Sequence, residues 1–578
     1  MNYILIKSET EIPNYISAFA REKIIACDIE TTGLDPHTDR IRLIQFAAEG
    51  MPVLIFDCFH FLPGGLSIIK EILENPTVKI FQNAKFDLQF FMALGIETAR
   101  INVFDTMLAG QLLRTSGGPG RVNLAALCAH YLNEELPKDE QKSVWTGELS
   151  ESQLNYAARD AEILVRLRVA MVKIILENNL SNVAKIEFAC AHAVAEMEYA
   201  GVSIDADKWR RLTAQTETER DGALKVLYSY SGEPTVQMNL WGEDEIIGNN
   251  FDSNKYILRL LKQNGIETDA TSKRVLSSHA GHPLITALTA YRKASKALAG
   301  FLYPIPKMIS PATGRLHPRY GQIGAWSGRM SCGGPNIQQI PRDNNFRECF
   351  VSQNGKLLVA ADYSQIELRV AARISGDMRM TEAYKMNEDL HALTASLVSD
   401  IDVKNVTKAE RQAAKAVNFG LIFGMGAVGL MNYARQSYGT EMTLETAEKF
   451  RENFFRAYPG IARWHREIKN GKPEEERTLA GRKFIFNDGA GFSGRYNMPV
   501  QGTAADIMKA SLGRLAKKTA RGYKIIAAVH DEIILETDEK TAAETAVTLK
   551  NIMEGSGNEI LSGVPVAADA RIMKSWGG

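Results

Sequence analysis

The sequence predicts a multidomain protein of mixed α/β and α+β class. Its first 178 residues alternate between strand-like and helix-like segments, which is typical of an α/β domain. Residues 181–320 follow a mostly helical period, with the polar stretch 231–254 as an interruption. Further along, an apolar run ends in a carboxylate at Asp362, and two apolar runs flank the pair Asp531–Glu532. A chain of 578 residues is long enough for several domains, each with its own core.

Composition places the chain among ordinary globular proteins and excludes several classes. Apolar residues make up 45% of the sequence and charged residues 24%. No apolar run approaches the ~18 residues that span a bilayer, and the first residues lack the basic and apolar regions of a signal peptide. The six cysteines show neither the paired spacing of a zinc site nor a disulfide framework. We therefore expect no membrane partner and a reducing, cytoplasmic location.

The formal net charge is zero, but the charges are unevenly distributed. Residues 1–180 hold 17 Lys and Arg against 23 Asp and Glu, whereas the remainder holds 51 against 45. This distribution favours a nucleic acid held mainly by the larger, basic part, with metal ions offsetting the acidic charge in front. A solvated surface would give the same asymmetry, so the charge distribution only supports the other observations.

Two carboxylate-bearing segments predict a metal site. A β-branched apolar run ends at Asp362, and the chain restarts as a helix after a short polar step. The pair Asp531–Glu532 lies in a two-residue gap between apolar runs, which predicts a hairpin. If both segments share one sheet, Asp362 and Asp531 can bind two divalent cations and support an in-line phosphoryl displacement. The alternative is two buried strands whose aspartates are turn residues.

A third segment predicts a helix that binds a nucleoside triphosphate. Arg411, Lys415, Phe419 and Phe423 recur every four residues, so a helix places them along one broad, slowly rotating face. Arginine makes forked contacts to phosphate, lysine provides a point charge, and an aromatic ring offers a stacking surface for a base. An amphipathic helix with a solvated basic end is the alternative for this segment.

The first domain carries a second acidic group. Strand alternation points Asp28 and Glu30 to the same side, and Asp87 lies beside an expected helix start. Tyr156 and Asp160 are four residues apart and hence share a helical face. Four carboxylates without a Cys or His pattern favour magnesium or manganese, which prefer oxygen ligands. A solvated strand end is the alternative for Asp28 and Glu30.

Together these segments resemble DNA polymerase family A, and the resemblance runs from about residue 180 to the C-terminus. Residues 362–369 are similar to the first palm motif, 530–532 to the second, and 411–424 to the fingers helix that closes over the incoming nucleotide. The acidic series of the first domain resembles the 3′–5′ proofreading exonuclease of the same family, within the DEDD nucleases. Further similar stretches occur in the expected order: Ser327–Ser331, Pro335–Pro341, Asp389–Thr394, Thr478–Arg482 and Asn497–Asp506.

The resemblance implies an RNase H-like exonuclease domain followed by a right-hand polymerase domain, at residues 1–178 and 179–578. The implied function is template-directed DNA synthesis with 3′–5′ exonuclease proofreading, in DNA replication or repair, without a 5′-nuclease domain. The implied cofactors are two Mg²⁺ ions, or Mn²⁺, in each active site. The implied subdomains are a thumb at about 181–320, a palm at about 321–400 and 490–578, and fingers at about 401–489.

Carried over residue by residue, the resemblance assigns catalytic roles in polymerisation. Asp362 and Asp531 would hold the metal ions, and Glu532 would assist them. Arg411 and Lys415 would bind the triphosphate. Lys415 is also a candidate proton donor to the leaving group.

The remaining polymerase contacts implied by the resemblance are to the nucleotide and the duplex. Glu367 would form a wall beneath the sugar, and His391 would lie near the phosphates. Phe419 and Phe423 would face the base, although the family usually has tyrosine where this chain has Phe423. The residues implied to check the minor groove are Gln365, Arg329, Asn497 and Gln501.

The resemblance also assigns roles in the exonuclease domain. Tyr156 would orient the attacking water, and Asp105 would be structural. Because all four metal-ligand positions are filled, the domain is expected to be active. These ligands are Asp28, Glu30, Asp87 and Asp160.

The implied partners are primer–template DNA and deoxynucleoside triphosphates, with replication proteins such as a helicase or a single-strand-binding protein as further candidates. The chain is expected to be a monomer in a bacterial or phage-infected cell, associated with the nucleoid through DNA. A single-subunit RNA polymerase shares the two palm aspartates, but Glu367 and the proofreading domain argue against it. A DNA-binding accessory protein with silent sites is disfavoured, because unused acidic clusters are destabilising. A protein in which only the nuclease works is the third alternative.

Overall fold

The computed structural model describes residues 2–19, 21–61, 66–116, 118, 120–137, 143–232, 235–238, 244–247, 249–276, 279, 281–471, 474–486, 492–518 and 521–578. The chain divides into two compact units. The first comprises Met1–Val202, His317–Gln338 and Ser352–Lys574, and the second comprises Ser203–Leu316, Gln339–Val351 and Ser575–Gly578. No helix in the described residues combines the length and the apolar character needed to span a membrane.

A six-stranded mixed sheet, as far as the described residues extend, forms the front of the first unit. Its strands are β1 (Tyr3–Ile6), β2 (Ile24–Thr31), β3 (Ile41–Ala47), β4 (Val53–Asp57), β5 (Val78–Phe81) and β6 (Asn102–Asp105). The accompanying helices are α1 (Ile12–Phe19), α2 (Leu66–Glu74), α3 (Ala84–Ala93), α4 (Thr106–Leu113), α5 (Leu124–Tyr131) and α6 (Glu151–Glu177). The strand order is β1-β4-β3-β2-β5-β6, with β3 antiparallel to both neighbours and the other pairs parallel. The predicted alternation of strands and helices is confirmed.

Both faces of this first sheet are covered by apolar side chains. One face, which includes Cys27 and Phe46, packs with residues of α1, α2 and α3. The other face, which includes Ala26 and Leu43, packs with residues of α4, α5 and α6. Because side chains alternate along a strand, Asp28 shares this second face with Ala26 and is directed towards the side that α6 covers.

The rest of the chain is mainly helical. The remaining helices are α7 (Ser181–Ala200), α8 (Ala206–Ser231), α9 (Asn254–Gln263), α10 (Lys273–Leu276), α11 (Pro283–Ala297), α12 (Asn344–Arg347), α13 (Ile366–Ser375), α14 (Met378–Lys385), α15 (Leu390–Ser399), α16 (Lys408–Ile422), α17 (Ala427–Tyr438), α18 (Leu444–Ala457), α19 (Pro459–Gly471), α20 (Phe492–Lys517) and α21 (Ala542–Leu561). The remaining strands are β7 (Ser203–Ile204), β8 (Thr235–Met238), β9 (Asp244–Ile247), β10 (Arg319–Gly321), β11 (Ser331–Gly333), β12 (Phe350–Val351), β13 (Lys356–Tyr363), β14 (Glu475–Arg477), β15 (Lys483–Ile485), β16 (Tyr523–Val529), β17 (Glu532–Asp538) and β18 (Ala568–Met573).

A second sheet in the first unit has the strand order β16-β17-β13-β18, with every neighbouring pair antiparallel. The side chains of Val359, Ala360 and Ala361 in β13 are fully buried, which explains the apolar run before Asp362. The predicted hairpin is confirmed as β16 and β17. Its two-residue turn consists of His530 and Asp531, so Glu532 begins the second strand and is not a turn residue.

The second unit is built around α8 and α11. A small core joins α8, α9 and α11 through Leu227, Leu261 and Leu288. The predicted helical period over 181–320 is confirmed by α7, α8, α9 and α11. The predicted interruption at 231–254 contains β8 and β9, which pair antiparallel, while residues 233–234, 239–243 and 248 lie outside the described residues.

A buried group of charges ties α7 to α20. The Glu187 carboxylate accepts hydrogen bonds from Lys509 Nζ and Gln322 Nε2, both at 2.6 Å, and pairs with Arg482. Arg482 Nε also donates to Asp506 Oδ1 at 2.9 Å. Burial alone would raise the pKa of Glu187, but Lys509 and Arg482 outweigh it and hold that pKa below its usual value. Helix α7 therefore belongs to the first unit, whereas the resemblance implies that the thumb begins at about residue 181. The subdomain boundaries stay predictions.

Replacing Glu187 by Ala is expected to destabilise the first unit strongly. Arg482 and Lys509 would stay buried without their shared counter-charge, and breaking a buried pair in this way costs about 3–5 kcal/mol. The measurement is the urea midpoint of the transition that reports on the first unit. The control is Glu452→Ala, because Glu452 pairs with Arg456 at 2.7 Å on the surface and such pairs contribute about 0–1 kcal/mol. Equal midpoints for the two variants would contradict the structural role of Glu187.

Candidate active sites

The second sheet brings Asp362 and the acidic hairpin together. Asp362 lies opposite Glu532 of β17 on one side and opposite Asp569 of β18 on the other. The turn places Asp531 beside β13, because its carbonyl oxygen accepts a hydrogen bond from the N–H of Tyr363 at 3.2 Å. Asp362, Asp531 and Glu532 are termed the hairpin cluster below. The cluster is assembled by strand pairing between segments that are distant in sequence.

The hairpin cluster has more negative than positive charge. Burial, followed by the charges of Asp531 and Glu532, raises the pKa of Asp362 to about 7. A cation of the neighbouring strand offsets part of this charge, because Arg571 Nη2 donates to Glu532 Oε1 at 2.7 Å. Crowded carboxylates with a raised pKa favour a divalent cation, which relieves their mutual repulsion. Asp362 and Asp531 are the residues that could hold such an ion.

The start of α13 presents two predicted site residues. Gln365 adopts the left-handed backbone conformation with φ of 55°, and its Oε1 accepts a hydrogen bond from the Tyr384 hydroxyl at 3.1 Å. In the first turn of the helix, Glu367 forms an ion pair with Arg329. Burial raises the pKa of Glu367, and Arg329 opposes the shift. The structure therefore brings together Arg329 and Glu367, which the sequence had assigned to separate contacts.

Helix α16 carries the predicted triphosphate-binding face. Its start is fixed by a capping box, in which Thr407 and Glu410 each accept a hydrogen bond from the other's backbone N–H. Arg411 Nε donates to Asp389 Oδ2 at 2.5 Å, so this side chain is held at the helix start. The helix ends at Ile422, and Phe423 forms its C-cap. The predicted spacing is therefore helical from Arg411 to Phe419, whereas Phe423 lies just beyond the last turn.

His391 is held beside α16 in a neutral form. Its Nδ1 hydrogen-bonds with Asn418 Nδ2 at 2.9 Å, and its ring centroid lies 6.0 Å from that of Phe419. Burial lowers the pKa of His391 to about 4. A neutral imidazole can donate or accept a hydrogen bond but adds no charge to a phosphate site.

Asn497 and Gln501 lie one turn apart on α20, and both side chains are half-buried. Residues four apart on a helix share a face, so the two amides are presented side by side. Their spacing fits the contacts to one groove that the resemblance implies.

The front sheet and α6 gather the second group of carboxylates. Asp28 and Glu30 lie in β2, Asp87 in the first turn of α3, and Asp160 in α6. These four residues are termed the front cluster below. Asp105, expected to be structural, accepts hydrogen bonds from the N–H groups of Ala84 at 2.8 Å and Met107 at 2.8 Å, and that expectation is confirmed.

Burial and mutual repulsion dominate the front cluster. Burial, followed by the charge of Asp160, raises the pKa of Asp28 to about 8, and burial raises the pKa of Asp160 to about 6. The pKa values of Glu30 and Asp87 are raised well above their usual values, again mainly by burial. Tyr156 hydrogen-bonds to Asp160, and burial raises the pKa of its hydroxyl. Such a donor set fits a hard cation with oxygen ligands.

In the described part of the chain, no three His, Cys, Asp or Glu side chains converge closely enough to form a complete metal-ligand set. The fit to a metal rests on the chemistry of the donors and on the neighbouring negative charges that help to raise the pKa values of Asp28 and Asp362.

Two residues near the hairpin cluster were missed from the sequence. Arg571 and Asp569 both lie in β18, which pairs with β13. Their segment has no motif that points to a site, and only the strand order places them beside Asp362. The only indication in the sequence that this strand borders a site was a polar residue that follows an apolar run.

Comparison with known proteins decides the family. The profile of DNA polymerase family A matches residues 208–578, and the profile of a 3′–5′ exonuclease matches residues 3–176. The chain belongs to DNA polymerase family A. Domains of these two kinds generally use divalent metal ions. The predicted fold class and the predicted enzyme class, a DNA-directed DNA polymerase with a 3′–5′ exonuclease domain, are confirmed.

Several relatives are similar over most of the polymerase. DNA polymerase I of Aquifex aeolicus is 32% identical over 606 residues, which cover 100% of both chains. DNA polymerase I of Chloroflexus aurantiacus is 28% identical, covering 99% of this chain and 63% of its own length. The thermostable DNA polymerase I of Thermus aquaticus is 31% identical, covering 68% of this chain and 48% of its own. The chain thus spans one relative fully and about half to two thirds of the others.

A solved structure supports the fold. The POL domain of Pol1 from M. smegmatis, in complex with DNA primer-template and dNTP, superposes with a TM-score of 0.81. The sequences are 23% identical, and the match covers 99% of each chain. At this identity the likeness establishes the fold alone.

Removing the positive side chain of Arg571 beside the hairpin cluster is expected to tighten the binding of a divalent metal ion. Arg571→Ala takes a positive charge away from Glu532, so Mn²⁺ should bind about two- to tenfold more tightly, equivalent to about 0.4–1.4 kcal/mol. Arg571→Lys keeps the charge and is the matched control. Mn²⁺ titration by electron paramagnetic resonance, in a background carrying Asp28→Ala, measures the affinity. Identical affinities for the Ala and Lys variants would rule out an electrostatic role for Arg571.

Proposed function

We propose that this polymerase extends the 3′ end of a DNA primer on a template and removes mispaired nucleotides from the same end. The observation that carries the proposal is the presence of two separate carboxylate clusters, each beside a different sheet of the first unit. Each cluster contains more carboxylate than nearby cation, and each has at least one pKa raised into the range of 7 to 8. Structural acids are normally paired, so two uncompensated clusters support two metal-dependent reactions.

In the polymerisation site, Asp362 and Asp531 would hold two Mg²⁺ ions, or Mn²⁺, with Glu532 assisting. When bound, such ions stabilise the attacking 3′-oxygen and the leaving pyrophosphate of an in-line displacement. The protein's own contribution would be to hold Asp362 near the end of β13 and Asp531 in the adjoining turn. The hydrogen bond between Tyr363 N–H and the Asp531 carbonyl keeps the turn against β13 at this point.

We assign the triphosphate to the start of α16. Arg411 is paired with Asp389 and would exchange that partner for phosphate, because a guanidinium binds either group through the same paired N–H donors. Lys415, one turn later, would bind the phosphates and donate a proton to pyrophosphate. Phe419 is packed near His391 and would face the sugar and base, with Phe423 next to the templating position.

We assign shape checking to the other polar residues. Glu367 would form the wall beneath the sugar, and Arg329 orients its carboxylate. Gln365, Asn497 and Gln501, together with Arg329, would contact minor-groove acceptors, which occupy similar positions in all correct base pairs. A single-subunit RNA polymerase would need room for a 2′-hydroxyl where Glu367 stands, and the exonuclease domain also disfavours that reading.

In the proofreading site, Asp28, Glu30, Asp87 and Asp160 would hold two divalent ions. Tyr156 is already hydrogen-bonded to Asp160 and would orient the attacking water. The partners that follow are primer–template DNA and deoxynucleoside triphosphates. A helicase or single-strand-binding protein, a monomeric state and association with the nucleoid remain proposals from the resemblance.

The two activities are expected to be separable, because the clusters lie on different sheets. Asp28→Ala with Glu30→Ala should lower degradation of a mismatched 3′ end by more than about 100-fold, since even outer contacts of a metal site cost about 10–100-fold. Extension should persist. Asp362→Ala or Asp531→Ala should give the reverse pattern. Primer extension and mismatch removal on one labelled substrate, with and without Mg²⁺, measure both.

The controls for this experiment lie on the same elements. Glu162→Ala alters an exposed carboxylate on α6, and Asp538→Ala alters one at the end of β17. Circular dichroism verifies that every variant is folded. Loss of both activities in the folded Asp28→Ala, Glu30→Ala variant would defeat the proposal.

Glu367→Ala is expected to admit ribonucleotides. Without the carboxylate, the 2′-hydroxyl of a ribonucleotide no longer collides with the protein, and no polar group is left unpaired. Discrimination against ribonucleotides should therefore fall by about 1–3 kcal/mol, or roughly 5–150-fold in selectivity. Arg329→Ala should act in the same direction, because Arg329 holds the carboxylate. Ratios of kcat/KM for deoxy- and ribonucleotides provide the measurement, with the exposed Glu382→Ala as control. An unchanged ratio in both variants would remove Glu367 from this role.

A further inference from the structure

Gln45 is a buried glutamine directly opposite a carboxylate of the front cluster. It lies in β3, its exposed fraction is 0%, and it is paired with Asp28 across the antiparallel ladder. The neighbouring pairs in this register are Ala26 with Ala47 and Glu30 with Leu43. Side chains directly opposite in such a pair have Cβ atoms about 4.5–5.5 Å apart on the same face. The amide of Gln45 can therefore reach the carboxylate of Asp28.

The face that Gln45 occupies is otherwise apolar. Leu43 and Ala47, two residues before and after it in β3, belong to the core packed with α6. Helix α6 is also the element that carries Tyr156 and Asp160. An apolar side chain of similar size would complete this core, so the sequence places an amide where packing alone calls for a hydrocarbon.

Neither polar atom of the Gln45 side chain has a hydrogen-bond partner within the described residues. Leaving a buried amide unsatisfied destabilises the folded state, because its hydrogen bonds to water are lost without replacement. Each unsatisfied buried group in a folded protein needs a physical explanation, and a functional role is one of them. The position of Gln45 opposite Asp28 points to a role in the front cluster.

We propose that Gln45 is a positioning residue of the exonuclease site: its amide N–H group is placed to donate to the Asp28 carboxylate when that carboxylate binds a metal ion, and so to fix its orientation as a ligand. The inference rests on the exonuclease activity proposed above. An ionised carboxylate has more acceptor positions than one metal bond uses, so a donor from Gln45 does not compete with the ion. Hydrogen bonds of this kind orient ligands and raise metal affinity.

The test compares Gln45→Met with Leu43→Met. Methionine is close in volume to both residues, and Leu43 lies on the same strand and the same face, so packing changes are matched. Gln45→Met should lower exonuclease kcat and weaken Mn²⁺ binding at the front cluster by about 10–100-fold, the usual effect of losing such a contact. Leu43→Met should change neither. Mn²⁺ affinity is measured by electron paramagnetic resonance on the full chain carrying Asp362→Ala and Asp531→Ala, which leaves the front cluster as the ion site.

Thermal unfolding separates a positioning role from a structural one. If Gln45 positions Asp28, Gln45→Met should unfold at the same or a higher temperature than the wild type while its Mn²⁺ affinity falls. Gln45→Asn, which keeps a shorter amide, should retain part of the affinity that Gln45→Met loses. A Gln45→Met variant with wild-type Mn²⁺ affinity and exonuclease kcat would overturn the proposal. A wild-type chain that binds Mn²⁺ but does not degrade a mismatched 3′ end would instead defeat the proposed function.

Discussion

The buried carboxylate of Glu187 is the contact on which the first unit depends. It lies in α7 and joins Lys509 of α20, Arg482 of the β14–β15 hairpin and Gln322 beyond β10. Further along α7, Glu198 accepts hydrogen bonds from Lys85 Nζ and from the Tyr320 N–H, both at 2.6 Å. One helix therefore contacts the front sheet's helix α3 and the segments that surround the second sheet. Because a charge taken out of water must be matched by nearby partners, the carboxylates of α7 fix the relative positions of the elements that surround them.

The balance between burial and neighbouring charge also distinguishes structural acids from the acids of the two sites. Lys509 and Arg482 hold the pKa of Glu187 below its usual value although burial opposes this. Asp28 and Asp362 lie beside other carboxylates, and their pKa values rise to about 8 and about 7. Both groups consist of acids in one unit, and the presence or absence of matched cations gives their pKa values opposite shifts. The negative charge around Asp28 and Asp362 is thus only partly offset, which is the condition that the proposed metal sites need.

Three positive side chains near the two palm segments and the fingers helix are each paired with an acid. Arg411 is paired with Asp389, Arg329 with Glu367 and Arg571 with Glu532. In two of these pairs the acid is itself a predicted site residue, so the arrangement presets both members before any ligand arrives. Preset side chains lose less conformational freedom on binding, which favours the precise geometry that phosphoryl transfer requires. The neutral His391 adds hydrogen-bonding capacity without further charge.

The sequence by itself determined the secondary-structure elements and the types of residue at their ends. The apolar run before Asp362, the hairpin after Val529 and the spacing from Arg411 to Phe419 are local patterns, and local hydrogen bonding and side-chain period decide them. Phe423 lies outside the helix because the contacts around the last turn, and not the residue spacing, decide where a helix ends. The tertiary structure alone decided that Glu187 meets Lys509, 322 residues away, that Arg571 reaches Glu532, and that Gln45 faces Asp28. These contacts depend on strand order and helix packing, which residue spacing along one chain does not specify.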